Sequence, residues 1–274
     1  MMKILITGSS GYIGRHLCHV LQDEDVTGLD KFYRPQTTKH FIQQNILDSN
    51  PIEDEYDVVV HLAALTKVGQ SMKCPMEYYK NNVTGTLKVL ENIKTKNFIF
   101  ASTGAAEFPH FCSPYALSKL QTEALVRQYC TLNNIDFTIF RFYNVIGSIG
   151  YETTNVDGLM YNLIKAKETG EFNIFGNNYD TIDGTAVRDY VHVLEICRAI
   201  QFAIKRPSNL LIENLGSGTG YSVQKMVDTF KKVNGVDFKV NYLPRREGDL
   251  QENVLKNVSP YMQKTFTIEQ MLRI

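Results

Sequence analysis

Residues 3–14 read Lys3-Ile4-Leu5-Ile6-Thr7-Gly8-Ser9-Ser10-Gly11-Tyr12-Ile13-Gly14. An apolar run ends at a glycine, and a helix-like stretch, Tyr12 to Leu21, follows it. That order predicts a strand, a tight turn and a helix. Glycines at GxxGxxG spacing let the chain turn sharply and let its backbone approach a pyrophosphate. The helix N-terminus behind them offers N–H groups and a positive dipole end. Gly8, Gly11, Tyr12, Ile13 and Gly14 are therefore candidate dinucleotide-binding residues. Asp30 closes the next apolar run, Asp25 to Leu29, about 20 residues beyond the glycines. A carboxylate there can accept both hydroxyls of an adenine ribose and repel a 2′-phosphate, which favours NAD over NADP. Lys31 and Arg34 lie nearby and pull the other way.

The alternation continues outward from this unit. Asp57 to Leu62 (DVVVHL) is a continuous apolar run, as expected of a strand buried on both faces. A helical stretch, Tyr79 to Ile93, precedes a strand at Asn97 to Ala101. A long helix, Pro114 to Leu132, precedes another strand at Phe137 to Phe142. The reading is α/β: a Rossmann-type doubly wound parallel sheet with a smaller, interleaved C-terminal substrate-binding lobe. The sheet domain is expected over residues 1–150, with 189–216 returning to it. The lobe is expected over 151–188 and 217–274. Its elements are helices at Gly158 to Thr169, Val193 to Lys205, Val223 to Val233 and Ile268 to Ile274. Short strands fall at Phe172 to Gly176, Leu210 to Leu215 and Lys239 to Leu243.

Charge is balanced, with 29 Lys+Arg against 29 Asp+Glu, which argues against a broad nucleic-acid or anionic-membrane footprint. No apolar run reaches bilayer-spanning length. The opening residues read as a strand and not as a signal peptide. The five cysteines, Cys18, Cys74, Cys112, Cys130 and Cys197, are scattered and form no CxxC pair. They suggest neither a disulfide framework nor a metal site, but ordinary thiols in a cytoplasmic protein.

Tyr115-Ala116-Leu117-Ser118-Lys119 places a phenol and an ammonium on one face of the long helix. A nearby ammonium, and the cationic nicotinamide of bound NAD, would lower the phenol pKa and make Tyr115 a general base on a hydroxyl losing hydride. Ser102 and Thr103 follow directly on the Asn97 to Ala101 strand. A hydroxyl at that strand end can hydrogen-bond the reacting group, with Thr103 the first choice and Ser102 the reserve.

Together with HLAALTKVGQS (His61 to Ser71), YYKNNVTGT (Tyr78 to Thr86) and RFYNVIG (Arg141 to Gly147), these motifs resemble the extended short-chain dehydrogenases. Three later segments narrow the likeness to the UDP-galactose 4-epimerases. They are IFGNNYDTIDGTAVRDYVHV (Ile174 to Val193), NLGSGTGYSV (Asn214 to Val223) and PRREGDL (Pro244 to Leu250). The resemblance implies that Tyr115 is the base, Lys119 its partner and Thr103 the family's Ser/Thr. It implies that Leu62, Ala63 and Asn81 border the NAD. Ser102 and Asn144 would touch the substrate, Phe175 the uracil, Arg188 and Arg246 the diphosphate, and Asp249 the uridine ribose. A UDP-sugar substrate, NAD as cofactor and a homodimer built from the Tyr79–Ile93 and Pro114–Leu132 helices follow from the same likeness. Nucleic acid and membrane do not feature as partners.

The chain also departs from that pattern. GAAEFPHFCSP, between Thr103 and Tyr115, is far shorter than the family's segment, and so is the stretch from Gly147 to Gly158. Asn253 stands where the family commonly has a bulky aromatic or a small residue that sets sugar size. Epimerases of UDP-GlcNAc, UDP-glucuronate or a pentose share the framework, as does a catalytically idle NAD-binding regulator. A 4,6-dehydratase would need an acid pair where Gly104 and Ala105 stand.

Overall fold

The strand β1 (Lys3–Thr7) buries Ile4, Leu5 and Ile6 completely. Adjacent residues of a strand point to opposite faces, so this strand is covered on both sides. The computed structural model describes residues 1–35, 38–48, 50–107, 113–151, 158–207, 211–246 and 249–274. After β1 come α1 (Tyr12–Val20), β2 (Asp25–Asp30), β3 (His40–Gln43), β4 (Ile52–His61), α2 (Val68–Lys73) and α3 (Pro75–Tyr78). A π turn (Tyr79–Thr84) leads into α4 (Gly85–Asn92) and β5 (Ile93–Thr103). A 3₁₀ turn (Gly104–Glu107), α5 (Pro114–Leu132) and β6 (Asp136–Phe142) complete this part of the chain.

Further on lie β7 (Asn144–Ile146), α6 (Leu159–Thr169), β8 (Glu171–Phe175), β9 (Val187–His192), α7 (Val193–Lys205) and β10 (Leu211–Leu215). They are followed by β11 (Gly220–Ser222), α8 (Val223–Asn234), β12 (Lys239–Leu243), β13 (Glu252–Asn253) and α9 (Ile268–Met271). The main sheet has seven strands in the order β10-β6-β5-β4-β1-β2-β3. Strands β3, β2, β1, β4, β5 and β6 run parallel, so their carboxyl ends lie along one edge, where such sheets bind ligands. On one face Val89 and Leu90 of α4 and Val126 and Cys130 of α5 pack against Leu5, Val59, Phe98, Phe100 and Ile139. Burying each such large side chain contributes about 1.5–3 kcal/mol.

The chain forms two compact units, Met1–Phe142 with Cys197–Glu213, and Tyr143–Ile196 with Asn214–Ile274. The breaks expected near 150 and 189 fall instead after Phe142 and inside α7. The reason is strand pairing: β7 joins β9 in register (Asn144↔Tyr190), and β9 also takes β11 and β13. The second unit has its own core around Leu163, Ile174, Met226, Val227, Phe230 and Met271.

Local chemistry explains the helix ends. Ser113 caps α5, accepting from Ala116 N at 3.2 Å, and Pro114 supplies the favoured first position. Gly170 and Gly235 end α6 and α8 in the left-handed conformation. Two expected helices differ. The stretch 79–93 starts as a π turn and stops at Asn92, because Ile93 already belongs to β5. The last helix stops at Met271. Cys112, most of the short segment before Tyr115, residues 152–157 of the other short segment, and Glu247 and Gly248 lie outside the described residues. Among the described residues no helix is long and apolar enough to cross a membrane.

Candidate active site

In the first unit the turn after β1 is packed against backbone on every side. Gly8 has φ +74°, and a Cβ there would sit 2.7 Å from Ala63 N. A Cβ on Gly14 would lie 2.2 Å from Gly8 O, so α1 begins directly over the turn. Gly8 N donates to Leu29 O at 2.8 Å and Gly11 N to Gly8 O at 3.0 Å. Gly11, the N-cap, brings no side-chain acceptor to the first-turn N–H groups of α1. In the same turn the Ser9 and Ser10 hydroxyls are buried and have no partner in the protein. Buried hydroxyls without partners cost stability, and a pyrophosphate would satisfy them. These residues fit a dinucleotide.

Asp30 stands at the end of β2, accepting from Ser10 N at 3.1 Å through one oxygen and from Phe32 N at 3.2 Å through the other. Each oxygen keeps a lone pair for a ribose hydroxyl. Among the described residues neither Lys31 nor Arg34 forms an ion pair with Asp30, and the Lys31 ammonium lies 5.1 Å from the Phe32 ring centre. Leu62 and Ala63 continue β4 into this corner, donating to Thr7 O at 3.1 Å and Thr7 Oγ1 at 3.4 Å.

Tyr115 sits in the first turn of α5, beside the Thr103 hydroxyl at the end of β5. Burial pushes the phenol up to about 12; the neighbouring Thr103 hydroxyl opposes this, and the Tyr78 hydroxyl adds to it. The Lys119 ammonium donates to Ala101 O at 2.7 Å and lies 4.6 Å from the Phe100 ring centre. Burial brings its pKa down to about 7, against the pull of Glu123 one turn on. Lys119 is therefore not what lowers Tyr115, contrary to the expectation from i, i+4 spacing. Its amine is aimed at the β5 carbonyl, and its own charge is disfavoured by the same burial.

Ser102, expected as the reserve hydroxyl, donates instead to Glu123 Oε1 at 2.5 Å. Glu123 also receives Arg141 through Nε at 2.9 Å and Nη2 at 2.6 Å. This bidentate pair ties β6 and α5 to the end of β5. Neither Glu123 nor Arg141 was singled out from sequence, although Glu123 stands four residues after Lys119 and so on the same helix face. Asn81 donates its amide to Asn82 Oδ1 at 3.0 Å on the π turn.

In the second unit, β9 organises the remaining candidates. Register places Asn144, Tyr190, Arg188 and Asn253 on one face of its sheet. Asn144 Nδ2 donates to Asp189 O at 2.9 Å. Asp189, fully buried, accepts from Ser217 N, Ser217 Oγ, Gly218 N and Leu255 N, and so pins β9 to the loop after β10 and to the chain after β13. Arg188 pairs with Asp249 at 2.5 Å. The Arg246 guanidinium lies 3.8 Å from the centre of the Phe175 ring, and Arg245 lies 4.0 Å from that of Tyr179. Asn253 Oδ1 is buried without a partner. Arg245 was passed over in the sequence, where only its place in the PRR doublet marks it. Chemically, the first unit offers a half-buried phenol beside a hydroxyl, and a glycine turn suited to an anion. The second offers guanidinium groups beside aromatic rings. Among the described residues no His, Cys, Asp and Glu group is disposed to hold a metal.

Residues 4–216 match the profile of the NAD dependent epimerase/dehydratase family. The UDP-glucose 4-epimerase of Erwinia amylovora is 33% identical over 296 aligned positions, spanning 91% of this chain and 88% of that protein. The alignment is longer than the 274-residue chain, so the relative carries extra segments. Among solved structures, UDP-glucose 4-epimerase from Stenotrophomonas maltophila with bound NAD and formylated UDP-arabinopyranose superposes with a TM-score of 0.89. It is 25% identical, and the match covers 99% of this chain and 96% of that one. The UDP-Glc/GlcNAc 4-epimerase of Campylobacter jejuni gives 0.81 at 28% identity, covering 100% and 97%.

Proposed function

The chain belongs to the NAD-dependent epimerase/dehydratase family, and from that premise we propose that it interconverts UDP-glucose and UDP-galactose by transient oxidation at C4. The observation that carries this reading is the juxtaposition of Tyr115 and the Thr103 hydroxyl at the carboxyl end of β5, in the same unit as the glycine turn. NAD, when bound, supplies the hydride acceptor and a cationic ring that favours the phenolate. Gly8, Gly11, Tyr12, Ile13 and Gly14 would hold its pyrophosphate, Asp30 its adenine ribose, and Leu62, Ala63 and Asn81 its flank. Lys119, anchored on Ala101 O, would orient the nicotinamide ribose.

As the phenolate, which a Thr103 hydroxyl donating to it would favour, Tyr115 takes the proton from the sugar 4-hydroxyl and becomes the neutral phenol. Once the sugar, held as the flat 4-ketone, had turned over, Tyr115 would return the proton to the C4 oxygen. This demands a nucleotide held firmly while the hexose is free. Arg188 and Arg246 suit the diphosphate, because a guanidinium fork matches phosphate oxygens. Phe175 offers the uracil an aromatic face, Asp249 a ribose acceptor, and Asn144 an amide to the sugar. Ser102 contributes from behind, through Glu123.

A second reading, a 4-epimerase that also takes acetamido sugars, is favoured by the unpartnered Asn253 amide oxygen and by the likeness to the Campylobacter jejuni enzyme. We infer a homodimer through the α3–α5 face. Met76 and Leu132 are exposed there, and Met76, Tyr79, Lys80, Val83, Thr84 and Gln121 line a shallow groove.

The test is incubation with UDP-glucose, and separately with UDP-GlcNAc, followed by separation of the products. UDP-galactose formed without net NADH supports the first reading. A protein that binds UDP-sugars and NAD yet converts none is an idle regulator, and the proposal then fails.

A further inference from the structure

A buried polar chain crosses the first unit beneath the proposed catalytic pair. His61, at the end of β4, is fully buried between the rings of Phe98 and Phe100, with ring centres at 5.8 and 5.9 Å. Its Nδ1 lies 2.6 Å from Thr7 Oγ1 and its Nε2 lies 2.9 Å from Thr86 Oγ1.

The donors can be assigned along the whole chain. Thr86 Oγ1 is 2.6 Å from the carbonyl of Asn82, which can only accept, so the one Thr86 proton goes there. Thr86 must then accept from His61, which puts the ring proton on Nε2. Burial, reinforced by the Lys119 charge, pushes the imidazole down to about 3, so the ring is neutral and Nδ1 accepts. Thr7 therefore donates to Nδ1 while accepting from Ala63 N.

The far end of the chain reaches the catalytic helix. Asn82 lies in the π turn, and such turns recur where a backbone group must be re-aimed at a functional site. Its side chain accepts from Leu65 N at 2.8 Å and from Asn81. It donates to Leu65 O and to Ser118 Oγ, both at 3.0 Å. Ser118 Oγ in turn donates to Tyr115 O at 2.7 Å. Thr122 Oγ1 donates to Ser118 O at 2.7 Å and lies 3.3 Å from the same Asn82 carbonyl.

We propose that His61 is a positioning residue. Through Thr7 it holds the strand end that carries the glycine turn. Through Thr86 and Asn82 it holds the helix that carries Tyr115 and Lys119. One imidazole thereby fixes the spacing between the dinucleotide turn and the base. A residue that merely filled the core would need an aromatic face but not a donor at one edge and an acceptor at the other. Neutrality matters too, since a charge on His61 would oppose the one on Lys119. The proposal rests on the reading of Tyr115 as the base.

The test compares His61→Phe, which keeps the ring and removes both bonds, with His61→Gln, whose amide can still donate to Thr86. Folding is checked by near-ultraviolet dichroism. Tyr115 is titrated with NAD bound, by ¹³C resonance of labelled tyrosine, alongside kcat and KM for UDP-glucose. In folded His61→Phe the expected result is a Tyr115 titration at least half a pH unit higher. With it should come a kcat at least tenfold lower and a KM within twofold of the parent, with His61→Gln recovering most of the loss. Titration and kcat within twofold of the parent in folded His61→Phe overturn the proposal. Should the parent convert no UDP-sugar while the titration still moves, the positioning role stands and the activity reading fails. If His61→Phe does not fold, Thr86→Val against Thr86→Ser gives the same comparison. A Thr86→Val protein with the parent's titration and kcat likewise overturns it.

Discussion

Tyr115 stands beside the hydroxyl of Thr103, the last residue of β5, and this neighbour opposes the upward push of burial on the phenol. A buried tyrosine is a poor base unless a neighbour favours its ionised form. Thr103→Val should therefore lower kcat by about 10–100-fold and move the acid limb of the pH–rate profile upward. Thr103→Ser, which keeps the hydroxyl, should stay within about threefold. Equal activity in the two proteins removes Thr103 from the reaction.

The glycine turn makes a sharp pair of steric predictions. Gly14→Ala forces a methyl to within 2.2 Å of Gly8 O, a backbone atom that cannot step aside without opening the turn. Loss of copurifying NAD and a destabilisation of about 3 kcal/mol are expected, read by cofactor content and thermal melting. Gly69→Ala, in α2, meets nothing within 4 Å and should stabilise by about 0.5–1 kcal/mol.

His61 gives the pH dependence of stability its sign. Its folded pKa, about 3, lies below its ordinary 6.5. The unfolded chain therefore binds the extra proton between those values, so stability is present above pH 6.5 and is lost as pH falls toward 3. By pH 5 the loss from this group is about 2 kcal/mol. Urea unfolding at pH 7 and pH 5 measures it, and His61→Phe should show a correspondingly smaller change between the two.

Arg188 and Asp249 pair at 2.5 Å with both side chains mostly covered. On the proposed reading this pair meets the nucleotide. Arg188→Met should then raise KM for UDP-glucose by about 10–100-fold while kcat changes little. A fall in kcat at unchanged KM contradicts an anchoring role.

Much of the fold was legible because of how parallel sheets are buried. Lys3–Thr7 is covered on both faces and so reads as an unbroken apolar run. The second unit was harder. Val187–His192 (VRDYVH) mixes charged and apolar residues because several of its side chains serve the candidate site or its supports. Two-residue β13 has no periodicity to detect. The π turn adds one residue to a helical repeat, which leaves the composition unchanged; Asn82, rather than Asn81, is the more heavily bonded of the pair. Spacing put Lys119 beside Tyr115 but could not tell where the amine pointed. Only the strand carbonyl at Ala101 decides that.

The order of strands also constrains synthesis. β6 borders the main sheet until β10 is laid against it, yet β10 is encoded some seventy residues later, after the Tyr143–Ile196 part of the second unit. A nascent chain that has reached Phe142 thus exposes an unpaired edge next to buried Phe137, Ile139 and Phe140, a template for wrong partners. Ribosome-stalled chains ending near residue 180 should engage chaperones more than those ending near 240, by which point the missing strand can dock.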